Sequence, residues 1–118
     1  MSISDHTYKG KRIMYVDYTH CKTTEEMIAV LNEVRREYER TTETFVAAAD
    51  MRGNFGSSEF MMEASKLAKD HLDKRTLKTA ILGIIGIKKI LLNAYNKVVN
   101  NKIEAFDTKE EALEYLVE

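Results

Sequence analysis

The acidic, histidine and cysteine side chains are the first candidates for chemistry in this sequence. Asp17 and Asp50 each end an apolar run typical of a strand, where a carboxylate can act as an acid or a base. An aspartate in this place more often caps the following turn. His20, Cys21 and His71 lack the spacing of a metal site. We therefore expect no catalytic residue, no bound metal and no cofactor.

A serine pair provides a second kind of candidate. Ser57 and Ser58 stand just before a helical pattern that carries Phe60 on its apolar face. A serine at a helix N-terminus can serve as a phosphoacceptor, because the helix dipole favours an added anion there. The alternative is ordinary N-capping, in which the hydroxyl accepts a hydrogen bond from a first-turn amide. Both interpretations of Ser57 and Ser58 stay open.

The segment Gly-Ile-Ile-Gly-Ile-Lys-Lys at 83–89 is a candidate anion or ligand site. A strand that ends near Gly83, followed by a helix with lysines in its first turn, could hold a phosphate or carboxylate on its amides. The segment is neither a P-loop nor a dinucleotide-binding motif, since the other residues of those patterns are missing. Alternatively, the glycines only make a tight turn. The candidate residues are Gly83, Gly86, Lys88 and Lys89.

The helix predicted over 87–99 has an unusually wide apolar face. A stripe at helical spacing predicts its core side, made by Ile87, Ile90, Leu91, Ala94 and Val98. A second apolar line is made by Leu92, Tyr95 and Val99. One helix on one sheet face rarely needs both lines. Either neighbouring helices cover the second line, or it is a surface for a partner, a lipid or a second copy of the chain.

Strand-like and helix-like apolar patterns alternate along the chain and would position these residues. They predict strands over 12–18, 44–49, 79–85 and 103–106, with a possible antiparallel edge strand over 3–9. Capping signals at 23–26 and 107–111 start two of the helices between and after them. This alternation predicts an α/β fold with right-handed crossovers. We expect one layered domain over 1–118, with a four- or five-stranded, mostly parallel sheet and helices on both faces.

Three segments together resemble a known family. They are Lys-Arg-Ile-Met-Tyr-Val-Asp-Tyr at 11–18, Leu-Gly-Ile-Ile-Gly-Ile-Lys-Lys-Ile-Leu-Leu at 82–92 and Phe-Asp-Thr-Lys-Glu-Glu-Ala-Leu-Glu-Tyr-Leu at 106–116. In this order they resemble the SpoIIAA-like proteins of the STAS superfamily, which are bacterial relatives of anti-sigma-factor antagonists. The resemblance implies a STAS fold, regulatory protein binding and no enzymatic activity. Some relatives also resemble the CRAL-TRIO class, which implies an apolar ligand held near membranes.

The resemblance is incomplete at the phosphorylation motif. Anti-sigma-factor antagonists carry Asp-Ser-Ser-Gly, in which a serine that opens a helix is phosphorylated. In this chain Gly56 and Glu59 flank the serine pair in place of Asp and Gly. A carboxylate at position 59 would lie close to an added phosphate and repel it.

Length and charge limit the remaining function classes. The chain has 118 residues, a net charge of −1 and a single cysteine, so it has no internal disulfide. It lacks a secretory signal pattern and any apolar run of about 20 residues, and we expect a cytoplasmic protein. The charge is uneven, however: residues 66–102 hold nine basic and two acidic side chains. Nucleic-acid binding is not expected, because these basic residues lack interleaved exposed aromatics.

Two main functional hypotheses follow. The first is a non-enzymatic regulatory module that acts by protein recognition, as a monomer or a weak homodimer. The alternative is a carrier or sensor of an apolar or anionic small molecule with reversible, peripheral membrane association. Basic charge beside a wide apolar helix favours this alternative. An enzyme is the third hypothesis and would need Asp17, Asp50 or the 83–86 turn in a concave pocket.

Overall fold

A five-stranded sheet forms the centre of the computed structural model, which describes residues 2–54 and 56–118. The strands are β1 (Ile3–Tyr8), β2 (Lys11–Asp17), β3 (Phe45–Asp50), β4 (Thr76–Leu82) and β5 (Ile103–Phe106). They lie in sequence order across the sheet. β1 pairs with β2 in antiparallel orientation, and the other pairs are parallel. The predicted mostly parallel sheet and its antiparallel edge strand are confirmed.

Helices follow each parallel strand. They are α1 (Thr24–Arg40), α2 (Ser58–Leu67), α3 (Asp73–Arg75), α4 (Ile87–Val98) and α5 (Lys109–Val117), with a π-helical turn at Ala68–Leu72. The predicted capping box of α1 is confirmed: the Thr23 hydroxyl accepts from the Glu26 amide, and the Glu26 carboxylate accepts from the Thr23 amide, each at 3.1 Å. Thr108 caps α5, since its hydroxyl accepts a hydrogen bond from the Glu111 amide at 3.2 Å.

The alternation of side chains in the strands divides the core into two parts. Met14 and Val16 of β2 pack with α1 and α2 on one face, whereas Ile13 and Tyr15 of the same strand pack with α5 on the other. Such alternation is the period of two that a strand imposes. α4 lies on the same side as α1 and α2, since its Leu92 packs against their core. Helices on both faces are thereby confirmed.

The end of β4 differs from the sequence prediction. The strand was expected over 79–85, but it begins at Thr76 and ends at Leu82. Gly83 has a φ of +82° and stops the extended backbone. A Cβ at this glycine would lie 2.6 Å from the backbone nitrogen of Arg52, so this close approach requires glycine. The apolar residues Ile84 and Ile85 therefore belong to the turn before α4.

Candidate functional site

An apolar cavity of about 140 Å³ lies between the sheet and the three helices of one face. The sheet, α1, α2 and α4 all contribute to its wall, which includes Met14, Ile81, Met27, Leu31, Leu67 and Leu92. Protein interiors are normally close-packed, so unfilled space of this volume between the sheet and the helices can accept a small ligand. The cavity is therefore the first candidate for a binding site.

Three tyrosines, Tyr18, Tyr38 and Tyr95, are among the residues that line the cavity. The Tyr38 hydroxyl is bonded to Oγ1 of Thr76 at 2.5 Å. Within the described residues, the hydroxyls of Tyr18 and Tyr95 have no hydrogen-bond partner, although both side chains are buried. Burial is the main cause that raises the pKa of both phenols, so they stay protonated and able to donate.

Lys88 is the one charged residue among the described residues that line the cavity. Its side chain is buried, with a relative exposure of 7%. Nζ donates a hydrogen bond to the backbone carbonyl of Met51 at 2.9 Å and makes no ion pair within the described part of the chain. Desolvation lowers the pKa of this ammonium. An ammonium can donate three hydrogen bonds, so two of its donor positions are not used by the described side chains.

This position corrects the prediction that Lys88 and Lys89 together present an anion site. Lys88 points inward to the end of β3, whereas Lys89 is exposed. The amides of Lys88 and Lys89 donate to the carbonyls of Ile85 and Gly86, which removes donors from the first turn of α4. Gly83 and Gly86 have positive φ values, and the turn geometry accounts for both glycines. The structure does not bring the four residues together around one point.

The buried face of α4 is rotated relative to the predicted core stripe, of which only Leu91, at the cavity, and Ala94 are half-buried. Tyr95 and Val99 are buried against Ala68, and Leu92 is half-buried at the cavity. The predicted core residues Ile87, Ile90 and Val98 are instead exposed, by 55% or more. Of the two alternatives for Leu92, Tyr95 and Val99, the structure supports coverage by neighbouring elements and not an exposed partner or lipid surface. Both lines are apolar at the same spacing, so hydropathy alone could not decide which one faces the sheet.

Burial of Lys88 could have been inferred from the sequence, but it was missed. Lys88, Leu92, Tyr95 and Val99 follow the helical spacing i, i+4, i+7, i+11 and so share one face of α4. If Tyr95 and Val99 are taken as the inward line, Lys88 must turn inward with them. Its charge led to the opposite assignment, because a lysine is seldom buried without a partner.

The serine pair occupies the N-terminus of α2. Ser57 caps this helix: its hydroxyl accepts from the Phe60 amide at 3.1 Å and is hydrogen-bonded to the Thr24 hydroxyl at the start of α1. Ser58 is the first residue of α2 and is exposed. The capping role of Ser57 is confirmed, and the exposed hydroxyl of Ser58 is the more accessible one for a modifying enzyme.

The strand-end aspartates have structural partners. Asp50 is buried and accepts hydrogen bonds from the Tyr15 hydroxyl at 2.6 Å and from the Arg52 guanidinium at 2.6 and 2.9 Å. Burial alone would raise the pKa of Asp50, but the hydrogen bonds from Arg52 and Tyr15 outweigh it and lower that pKa. Asp17 accepts from the amide and hydroxyl of Thr19. Neither aspartate lines the cavity.

Other classes of site were sought within residues 2–54 and 56–118. This part of the chain contains no group of three His, Cys, Asp or Glu side chains placed to hold a metal ion. It also contains no helix with the length and hydropathy that crossing a bilayer requires.

Comparisons with known proteins extend the geometric description. No family model matches the chain, and no curated protein matches it. Among solved structures, an uncharacterised DUF3478-family protein with a SpoIIAA-like fold from Shewanella loihica PV-4 superposes with a TM-score of 0.61. The match has 19% identity and covers 97% of this chain and 91% of that one.

A second solved structure is an anti-sigma-factor antagonist (STAS) domain protein from Planctomyces limnophilus. It superposes with a TM-score of 0.59 at 15% identity, covering 98% of both chains. At these identities the likeness concerns the fold and leaves the partners and ligands of this chain undetermined. The chain therefore has the SpoIIAA-like α/β fold that is also found in a STAS domain.

Proposed function

We propose that this protein is a non-enzymatic, cytoplasmic regulatory module that recognises a protein partner through one surface of α4. The surface consists of Ile87, Ile90 and Val98 together with Ile85 of the preceding turn, and we call it the α4 surface. Its side chains are between 55% and 71% exposed, and this is the observation that carries the proposal. Neighbouring exposed apolar residues of this kind often mark an interaction site.

Charge suggests the chemistry of the partner. The exposed residues Lys89 and Lys97 also lie on α4, and the helix contains no acidic residue. A partner that offers apolar side chains surrounded by Asp and Glu would complement this surface. The STAS domain with a similar fold is described as an anti-sigma-factor antagonist, which supports a regulatory role through protein binding.

Site-specific photocrosslinking tests the proposal. A photoreactive residue at position 90 should capture one protein in cells that naturally make the chain, whereas the same residue at exposed position 36 on α1 should not. Binding of the purified partner should then weaken at least tenfold in Ile90→Glu and stay unchanged in Arg36→Glu. Capture only of lipid at position 90, or equal capture at both positions, would refute protein recognition by the α4 surface.

The serine pair gives the regulatory proposal a possible switch. Ser58 is exposed at the N-terminus of α2, where the helix dipole favours a phosphate. We expect incorporated phosphate to be lost in Ser58→Ala and retained in Ser57→Ala, because the Ser57 hydroxyl is engaged in capping. The measurement is mass spectrometry of the protein isolated from its native cells. Absence of phosphate under all growth conditions would remove the switch and leave the recognition surface as proposed.

The cavity favours a second candidate function, a carrier or sensor of a small apolar or anionic molecule with reversible membrane association. The volume of the cavity and its almost entirely apolar wall support this function. The α4 surface would supply the membrane contact, with Lys89 and Lys97 facing anionic lipids. Co-sedimentation with vesicles of phosphatidylserine and phosphatidylcholine tests this contact. Binding to the vesicles should be weaker for Ile90→Glu than for the unmodified protein, and weaker at high salt. Equal binding of Ile90→Glu and the unmodified protein would contradict the membrane contact.

A further inference from the structure

We propose that the cavity binds a small monocarboxylate with an apolar body of about six carbon atoms, whose carboxylate pairs with the ammonium of Lys88. This inference rests on the second candidate function and specifies the chemical class of its ligand. The charge, the wall and the volume of the cavity each support this ligand class.

The ammonium of Lys88 lacks a counter-charge and part of its hydrogen-bond partners among the described residues. A buried ammonium is costly unless it is paired with a counter-charge and its donors are satisfied. The Met51 carbonyl satisfies one donor at 2.9 Å, and no described side chain forms an ion pair with Lys88. Asp50 directly precedes Met51 in the sequence. Its carboxylate already accepts hydrogen bonds from Arg52 and Tyr15. An anion from outside the chain would supply the missing counter-charge.

The residues of the cavity wall indicate the sign and number of charges on the ligand. No Asp or Glu is present among the described lining residues, so a cationic head group would find no counter-charge there and would be repelled by Lys88. A single ammonium balances a single negative charge, which fits a carboxylate better than a doubly charged phosphate. Tyr18 and Tyr95, whose hydroxyls have no partner among the described residues, also line the cavity and would be further donors for an anionic oxygen.

The volume limits the size of the apolar body. An engineered protein cavity of about 150 Å³ binds benzene, so the 140 Å³ found here suits a group of similar size. The rest of the wall consists mainly of methionine, leucine, valine and alanine side chains, which offer dispersion contacts and no polar competition. Hexanoate combines a suitable body with one carboxylate and is the probe of choice.

Methyl NMR of methionine provides a direct test on the whole chain. Met14, Met27 and Met51 line the cavity, whereas Met62 is 59% exposed on α2 and serves as an internal reference. Hexanoate, hexanol and hexylammonium are titrated at neutral pH. We expect saturable shifts of the three cavity methyls without a shift of Met62. Hexanoate should bind at least tenfold more tightly than hexanol, and hexylammonium should not bind.

Two variants test the contribution of the Lys88 ammonium to ligand binding. Lys88→Met keeps a flexible apolar stem and removes the charge, so hexanoate affinity should fall at least tenfold while hexanol affinity is retained. Lys89→Met removes the neighbouring exposed charge and should leave both affinities unchanged. If Lys88→Met does not fold, the three head groups compared in the unmodified protein decide the question by themselves.

The outcomes separate this inference from the function on which it rests. Equal affinity for hexanol and hexanoate would overturn the monocarboxylate inference and leave an apolar ligand site in place. Failure of all three probes to shift the cavity methyls would overturn both. Tighter binding of dodecanoate than of hexanoate would contradict the size limit.

Discussion

The Tyr15 hydroxyl donates a 2.6 Å hydrogen bond to the carboxylate of Asp50 across two neighbouring parallel strands. Arg52 donates to the same carboxylate, so the buried charge at the end of β3 is paired and hydrogen-bonded. The contrast with Lys88 is informative. Both charges lie near the carboxyl end of β3, but only Asp50 has an opposite charge from within the described chain.

The paired carboxylate leads to a prediction about acid stability. Asp50→Asn should lower the free energy of unfolding by about 2 kcal/mol at neutral pH, because charged hydrogen bonds from Arg52 and Tyr15 are weakened. The pKa of Asp50 is lowered in the folded state, so its contribution is complete above the unfolded-state pKa and is lost as the pH falls through the folded-state pKa. Urea unfolding at neutral and acidic pH measures both effects.

Asp17→Asn is the matched control for this prediction, since Asp17 also ends a strand but bonds only to Thr19. Its cost should stay below about 1 kcal/mol. Equal costs for the two aspartates, or an Asp50→Asn variant with unchanged acid sensitivity, would contradict the role assigned to the buried pair.

Gly83 provides a test of the turn between β4 and α4. Gly83→Ala should destabilise the protein by more than about 2 kcal/mol, because alanine combines a strained positive φ with a clash against the backbone of Arg52. Gly10 has nearly the same φ, +81°, but open space around it. Gly10→Ala should therefore cost only about 1 kcal/mol, and chemical denaturation of both variants measures the difference. Similar costs would show that the close contact with Arg52 does not require glycine.

The Ser57 cap should have a measurable energy. Ser57→Ala removes the acceptor of the Phe60 amide and the bond to Thr24, so we expect a loss of about 1 kcal/mol. Ser58→Ala changes an exposed first-turn residue and should stay within about 0.5 kcal/mol of the unmodified protein. Thermal unfolding followed by circular dichroism tests the pair. A larger loss of stability for Ser58→Ala than for Ser57→Ala would contradict the assignment of Ser57 as the N-cap.

The orientation of α4 can be tested by two substitutions on opposite faces. Tyr95→Ala should cost about 3 kcal/mol, because Tyr95 is buried against Ala68 and Val99. Ile90 is 66% exposed, so Ile90→Glu should change the free energy of unfolding by less than about 0.5 kcal/mol. A larger loss of free energy of unfolding for Ile90→Glu than for Tyr95→Ala in urea would contradict this orientation of α4. It would support the stripe with Ile90 as the buried face.

Buried tyrosines predict a loss of stability at alkaline pH. Burial raises the pKa of Tyr18 and Tyr95 in the folded state, so their contribution is complete below the ordinary tyrosine pKa. It is then lost as the pH rises above about 10. Tyrosinate absorbance should increase together with unfolding, and Tyr18→Phe should shift this transition to higher pH. Ionisation of all tyrosines before any loss of helical signal would contradict their burial.

The sequence was most informative where local patterns carry the structural signal. The capping box at Thr23, the cap at Thr108 and the short strand Ile103–Phe106 all depend on neighbouring residues and were predicted correctly. The end of β4 was missed because the requirement for Gly83 comes from Arg52, a residue distant in sequence. A local hydropathy pattern carries no information about a contact between residues this far apart in the sequence.

The candidate site was less predictable because it depends on the orientation of one helix. Two apolar lines on α4 satisfy the same periodicity, and the contacts of Tyr95 with Ala68 decide which one is buried. The cavity itself is formed by side chains from four strands and three helices, and no sequence motif encodes it. Lys88 was recognised as a candidate for anion binding, but its inward position follows only from the correct orientation of α4.

The sequential strand order has a consequence for biosynthesis. Each crossover joins neighbouring strands, so the cavity wall is added one βα unit at a time, and α4 is the last helix to contribute. A nascent chain that has released only the first two units has α1 and α2 but lacks the part of the wall that β4, α4 and β5 supply. The cavity and Lys88 are therefore completed late in synthesis, and the apolar face opposite them is covered later still, when α5 docks.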